Sequence, residues 1–340
     1  MLHSHQHSTK KFCSSYVVPQ SNQVHLLKYI FALLFAYWIG IFIYLLLFVI
    51  LSDIVLQILR LFKLTDVNNK RVKFTALLCA VVCALSLSLY GFCHATTINT
   101  KTYDVVFRQH NLSGELNVLL VSDLHLGSVS SEKRLAEMVE NINKQNPDVV
   151  CVAGDMFDND YNAIRDDDEI IAVLSKIKSK YGVYVAFGNH DSGKTMGDMI
   201  KFVEKCGFIL LSEDYVVIDN RFVLVGRADS SPIGGSIGVN RGSTNKLLDT
   251  LPEELPVIVI DHNPQNVSEY GRRVDLVLSG HTHKGQILPG NLITSMMYEI
   301  DYGYGEIKDG PQLVVTSGFG TWGMPMRVAT DSEIVQILID

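Results

Sequence analysis

The chain has 340 residues, 47% of them apolar and 19% charged, with a formal charge of −7. That apolar share excludes a disordered or collagen-like chain, and the charged share lies below the roughly 25% of average globular proteins. The charge is divided: residues 1–110 hold 10 basic and 3 acidic residues, whereas residues 111–340 hold 19 and 33. At roughly 150 residues per domain, the length predicts two or three units.

Residues 1–28 read as a polar tail containing His3, His5, His7 and His25. Residues 29–51 and 74–93 then run for 23 and 20 positions without a charge. A bilayer core of about 30 Å takes about 20 residues of helix, so both runs are predicted to span a membrane. A cleaved leader would have an apolar stretch of only ~7–15 residues. Residues 54–64 mix apolar side chains with Arg60 and Lys63, which predicts a helical extension lying at the interface. The connecting loop carries Arg60, Lys63, Lys70, Arg71 and Lys73. Lys10, Lys11 and Lys28 precede the first span, and Lys101 and Arg108 follow the second. The most basic short loop belongs in the cytoplasm, which places the C-terminal part outside. Residues 94–114 are read as a linker and 115–340 as a separate folded domain.

That domain alternates apolar runs with helical periodicity. Residues 117–122, 148–153 and 182–187 read as strands, and 131–144, 170–177 and 199–206 as helices. The acidic run Asp166 to Glu169 suits a helix N-terminus. Short strands follow at 208–211, 215–218, 222–225, 257–260, 274–278, 313–316 and 333–339. Uncharged, β-branched strands imply sheets covered on both faces. Strands alternating with helices imply an α/β domain, and the later, close-set strands imply a second sheet. The predicted fold is a four-layer α/β/β/α sandwich preceded by two transmembrane α-helices. Residues 231–243 are a Gly-rich surface loop. No Cys-x-x-Cys pair occurs among the six cysteines, so neither a zinc ribbon nor a disulfide framework is implied.

Five of these strands end in ligand-type residues. They are Asp123-x-His125, Gly154-Asp155, Gly188-Asn189-His190-Asp191, Asp261-His262-Asn263 and Gly280-His281-Thr282-His283. Ligands of α/β sheets gather at the carboxyl ends of strands, so the set converges on one place. Imidazole, carboxylate and amide oxygen suit Mn, Fe or Zn. Seven donors are too many for one tetrahedral ion, and two divalent ions roughly 3.5–4 Å apart with one bridging carboxylate use them all. Asp158, Asn159 and Asp229 stand near these motifs as supporting candidates, and nothing points to a nucleic-acid partner.

The ordered motifs resemble those of the calcineurin-like metallophosphoesterase superfamily, and among its members the chain is most similar to bacterial membrane-anchored metallophosphoesterases. The resemblance covers about residues 115–340 and includes the Gly-rich tail 317–327, while Lys284 stands where relatives often carry Gly. It implies the four-layer sandwich and a dimetal phosphoesterase. Asp123, His125, Asp155 and His283 would hold one ion, and Asp155, Asn189, His262 and His281 the other. A bridging hydroxide would attack phosphorus in line. His190 would stabilise the transition state and protonate the leaving oxygen, with Asp191 hydrogen-bonded to it. Arg327 is a candidate contact for a substrate anion. The expected substrate is a phosphodiester or pyrophosphate, with a lipid-linked one favoured by the anchor. The second reading is a membrane scaffold or sensor with a degenerate metal site, against which every ligand position is filled.

Overall fold

The computed structural model describes residues 20–129, 131–235 and 240–340, with side chains of the first helix described at Leu27 and from Tyr29 onward. Residues 1–19, with His3, His5 and His7, lie outside the described residues, as do 236–239 of the Gly-rich loop. Helix α1 (Gln20–Leu61) and helix α2 (Lys70–His94) form an antiparallel pair. Asn69 caps α2, its side chain accepting from the Arg71 amide. Residues 54–61, expected to extend the first helix, continue α1 without a break. No Gly or Pro separates Leu51 from Leu61, so nothing in the backbone stops the helix. Small residues line the seam: Ala36, Ala80, Ala84 and Ser88 are buried, and Tyr37 stacks obliquely on Phe92 at 4.8 Å. Seams of this kind let helices approach closely where no hydrophobic force drives them together. Outside the seam, the most apolar windows of the two helices are only 11% and 22% buried, unlike core helices of a soluble domain.

The first strand of the folded domain is β1 (Ile98–Val105), inside the segment read from sequence as a linker. It pairs in parallel along its whole length with β12 (Ser332–Ile339). Its alternation of Thr, Lys, Tyr and Asp hides an edge strand that covers the sheet on one side only. The remaining elements follow in order. They are β2 (Leu116–Val121), α3 (Glu132–Lys144), β3 (Val149–Ala153), α4 (Asp167–Leu174), β4 (Val183–Ala186), α5 (Met196–Lys205) and β5 (Ile209–Leu210). Next come β6 (Asp214–Ile218), β7 (Phe222–Gly226), α6 (Thr244–Leu248), β8 (Val257–Ile260) and β9 (Leu276–Ser279). Helix α7 (Gly290–Met297), β10 (Gly303–Glu306) and β11 (Gln312–Val315) precede β12.

Two six-stranded sheets result, ordered β1-β12-β2-β3-β4-β5 and β10-β11-β9-β8-β7-β6. Successive residues of a strand face opposite sides, and here both sides are apolar. Val150 and Val152 of β3 pack outward on Leu135, Met138, Phe202 and Val203 of α3 and α5. Val149, Cys151 and Ala153 point inward against Leu224, Ile258, Ile260 and Leu278 of the other sheet. Val223, Val225, Val257 and Val259 cover the far face with Val267 and Tyr270. The domain is thus the four-layer α/β/β/α sandwich, with a continuous apolar slab between the sheets.

The helix pair is packed into this domain rather than merely attached to it. Ile287, Met326 and Val328 cluster with Tyr44 and Ala84. The Arg327 amide donates to the Gly91 carbonyl at 3.0 Å, and His94 Nε2 lies 2.9 Å from Asp331 Oδ1. A Cβ at Gly91 would meet Met326 Cγ at 2.6 Å and Val328 Cγ2 at 2.8 Å. Gly91→Val should therefore lower stability by about 1–3 kcal/mol through overpacking. A lower melting temperature of the detergent-solubilised full chain, with unchanged helix content by circular dichroism, is the expected result.

Candidate metal centre

The ligand-type residues sit where β2, β3, β4, β8 and β9 end, side by side across the two sheets. Backbone bonds splice these ends together. The Asp123 amide donates to Gly154 O, the His125 amide to Asp155 O, and the Gly280 amide to His262 O. Asp123, His125, Asp155, His281 and His283 all have positive φ, between +46° and +69°. Left-handed backbone costs energy in residues with a Cβ and is retained where the surroundings over-determine it. Here it turns five side chains inward within two to four residues of a strand end. Gly154, at φ +80°, supports the turn, since a Cβ there would meet His262 Nδ1 at 2.6 Å.

Two groups of donor atoms form. In the first, His125 Nε2 lies 3.1 Å from His283 Nε2, which is 3.3 Å from Asp123 Oδ1. In the second, His262 Nε2 is 3.1 Å from Asp155 Oδ2 and from Asn189 Oδ1. His281 Nδ1 stands 2.9 Å from the same Asn189 Oδ1. Asp155 Oδ2 also lies 3.9 Å from His125 Nε2, so this carboxylate stands between the groups. Donors bound at about 2.0–2.2 Å to one ion are themselves roughly 3 Å apart, so the spacing fits a pair of divalent cations. The chemistry fits as well. Asp123 and Asp155 are buried, and among the described residues no Lys or Arg donates a hydrogen bond to either. Burial of uncompensated carboxylates is costly unless a cation joins them. His262 Nδ1 donates to the Ala153 carbonyl at 2.7 Å, leaving Nε2 to face the centre. That outer bond fixes a tautomer and orients a ligand.

The electrostatics sort the imidazoles. Burial pushes His281 down to about 4, aided by the nearby His262, and holds His283 well below its ordinary value, aided by His125. Both are therefore neutral, the form that binds metal. Burial opposes charge on His262 too, yet Asp155 outweighs it and raises this imidazole well above the ordinary range. The same contact drives Asp155 down despite its burial. Without cations, His262 and Asp155 form an ion pair.

Two expectations change. Asp191 does not reach His190. Its Oδ1 accepts from the Phe157 amide at 2.8 Å, and its Oδ2 from the Gly188 and Met156 amides at 2.9 and 3.2 Å. This buried carboxylate is committed to tying the ends of β3 and β4 together. Burial and the neighbouring Asp155 still push it up to about 7 against those three amides. The carboxylate facing His190 Nδ1 is Asp158, at 3.8 Å, which also stands 3.8 Å from His125 Nδ1. At that distance the buried His190 Nδ1 has no hydrogen-bond partner. Its Nε2 points to Asp155 Oδ2 at 3.9 Å. Arg327, expected to contact a substrate anion, is fully enclosed. Its Nη2 donates to the carbonyls of Ser317, Gly318 and Gly320 at 2.8, 3.0 and 2.6 Å. It holds the tail loop in shape beside Asp123 and faces no solvent.

The sequence reading passed over Gln286 and Trp322. Gln286 accepts from the Trp322 amide at 2.7 Å and donates to the Trp322 and Met324 carbonyls at 3.0 and 3.1 Å. The Trp322 ring then sits 6.1 Å from His190 at the rim. Lys284 adopts φ +51°, where Gly would be unstrained, and lays its ammonium 4.0 Å over Tyr302. Asp229 is half free: Oδ1 accepts from Ser231, while its buried Oδ2 has no hydrogen-bond partner.

A family model of the calcineurin-like phosphoesterases matches residues 116–285, half of the chain. An uncharacterized metallophosphoesterase of Aquifex aeolicus is 30% identical over 260 residues, covering 75% of this chain and 97% of that relative. A metallophosphoesterase of Campylobacter jejuni is 29% identical, over 70% of this chain and 62% of its own length. A transmembrane protein with metallophosphoesterase domain from Danio rerio is also 29% identical, over 76% of this chain and 62% of that one.

The His262–Asp155 ion pair gives a test of the centre. A cation entering there displaces the proton held on His262 Nε2, so affinity rises with pH up to the raised value of this imidazole. Calorimetric titration with Mn²⁺ at pH 7, in two buffers of different ionisation enthalpy, should show proton release, and His262→Ala should abolish it. A heat independent of buffer would contradict the assignment.

Proposed function

The chain belongs to the calcineurin-like phosphoesterase family, and from that premise we propose that it is a membrane-anchored dimetal phosphoesterase that hydrolyses a phosphodiester or pyrophosphate bond. The observation that carries the reading is the convergence of seven ligand-type side chains from five strand ends around the buried Asp155. Asp123, His125, Asp155 and His283 would hold one divalent ion, and Asp155, Asn189, His262 and His281 the second, Mn, Fe or Zn suiting the donors. Such a pair supplies an activated water at neutral pH and positive charge beside the phosphoryl oxygens.

The chain's own groups do the rest. His190 lies outside both ligand sets, with Nε2 toward the centre and Nδ1 toward Asp158. It is placed to hydrogen-bond a phosphoryl oxygen and to give a proton from Nε2 to the departing oxygen. Burial holds this imidazole below its ordinary value, and Asp155 and Asp158, which faces Nδ1, offset part of that. Asp191 keeps the loop that carries Asn189 and His190 in register with β3. Arg327 acts as a positioning residue through the tail loop.

Membrane attachment through α1 and α2 goes with this reading, since a pinned site favours phosphoesters on lipid-linked molecules. Arg71 and Gly91 are separated by about 20 residues of helix, or about 30 Å, one hydrocarbon core. The basic loop and the folded domain therefore occupy opposite sides of the bilayer. The positive-inside rule then places the catalytic domain, which begins near Ile98, outside the cytoplasm. The competing reading, a scaffold or sensor with a degenerate site, predicts no turnover.

Full-length protein loaded with Mn²⁺ should hydrolyse a chromogenic phosphodiester, and Asp155→Ala should remove the activity. Turnover absent from the metal-loaded chain, or untouched by Asp155→Ala, would sink the hydrolase reading. His190→Ala should reduce kcat by about 10²–10⁴-fold while two ions per chain remain. Asp158→Asn should weaken kcat in the same direction, and in His190→Ala it should have no further effect. For topology, a C-terminal alkaline phosphatase fusion should be active in cells. An inactive fusion alongside a fluorescent C-terminal fluorescent-protein fusion would place the domain in the cytoplasm.

A further inference from the structure

Helix α7 is built inside out. Its sequence is Gly-Asn-Leu-Ile-Thr-Ser-Met-Met, and none of its residues is buried. Leu292, Ile293, Met296 and Met297 are 54–79% exposed. They occur at i, i+1, i+4 and i+5, one face of a helix. The inward side is the polar one, where Thr294 Oγ1 donates to Asp301 Oδ2 at 2.7 Å. A helix on a soluble globule does the opposite, turning its apolar stripe to the core. A contiguous exposed apolar face marks an interaction surface. Leu288 and Trp322, both exposed, extend it.

Position says what covers it. Leu288 directly follows Ile287, which packs with Val328 on Tyr44 and Ala84 of the spanning helices. The Leu288 amide donates to the Val328 carbonyl at 3.1 Å. The apolar face is thus continuous in the chain with the seam between the folded domain and its own anchor. It is equally continuous with the metal centre. Thr282, between His281 and His283, donates to the Asp301 carbonyl at 2.7 Å, and the ring of Tyr298, just past α7, is 6.3 Å from His281. Trp322 stands beside His190. Amphipathic surfaces of this kind, with aromatic and aliphatic residues together, lie in the headgroup region of a bilayer.

We propose that α7 and Trp322 form a membrane-docking surface that seats the rim of the metal centre on the bilayer its own helices span, so that the site meets phosphoesters carried by amphiphiles of that leaflet. The docking rests on geometry alone, and the substrate class rests also on the hydrolase reading above. The apolar face takes the acyl-side boundary of the interface, and the metal centre takes the phosphoester at headgroup level.

The chain has two tryptophans, Trp38 and Trp322. In full-length Trp38→Phe protein reconstituted in phosphatidylcholine vesicles, Trp322 fluorescence should be quenched by lipid brominated on the acyl chain near the headgroup and protected from aqueous iodide. Open iodide quenching with no bromolipid effect would overturn the docking. The double variant Met296→Asp, Met297→Asp, exposed enough to fold normally, supplies the second arm. It should hydrolyse a soluble chromogenic diester at the parent rate and a vesicle-borne phospholipid diester at least tenfold more slowly. Equal rates of variant and parent on vesicles would also overturn it, as would cross-linking of a Met297→Cys variant to a second copy in place of lipid protection. An inactive parent toward both substrates would defeat the hydrolase reading, while the fluorescence result would still decide docking.

Discussion

Everything in this molecule answers to one electrostatic constraint. Two carboxylates, an amide oxygen and four imidazoles, all but His281 buried, are driven together with their lone pairs converging. Alone, such a group repels itself, and only added positive charge makes its burial favourable. The ion pair of His262 with Asp155 is the protein's own partial answer, and it leaves the first group around Asp123, His125 and His283 with less compensation. The left-handed backbone at five of these positions is the conformational counterpart. Both costs fall on residues at strand ends, where the apolar slab between the sheets is firm enough to hold them.

Much of the fold was legible because both faces of the strands are buried. Continuous apolar runs such as residues 149–153 stand out from any helical period, and the ligand motifs follow them immediately. The parts that escaped notice fail that test. β1 alternates polar and partly buried residues and takes its identity from its partner β12, more than 200 positions away. Helix α7 has apolar side chains, but no sequence pattern says that they face outward. Nor does sequence say whether an arginine is enclosed, as Arg327 shows.

At the site, residue types were legible and pairings were not. The family resemblance implied a hydrogen bond between Asp191 and the preceding His190. In the fold, adjacent side chains point apart, and the carboxylate turns to three amides instead. Asp158, which faces His190, comes from the turn after β3, and only the parallel pairing of β3 with β4 brings it there. The distinction matters for reading variants. Loss of Asp191 removes acceptors for three buried N–H groups and damages the fold, whereas loss of Asp158 touches the orientation of one imidazole.

The amide of Arg327 is bonded to Gly91 in the second helix, while its guanidinium gathers the carbonyls of the loop that passes Asp123. One residue therefore grips both the anchor and the wall of the metal centre. The helical hairpin is for that reason no detachable tether. A soluble fragment beginning near Ile98 would bare Ile287, Met326 and Val328 to water and lose the backbone acceptor that positions Arg327. The loop beside Asp123 would then be freed at one end, so the excised domain is not expected to keep the geometry it has beside its helices.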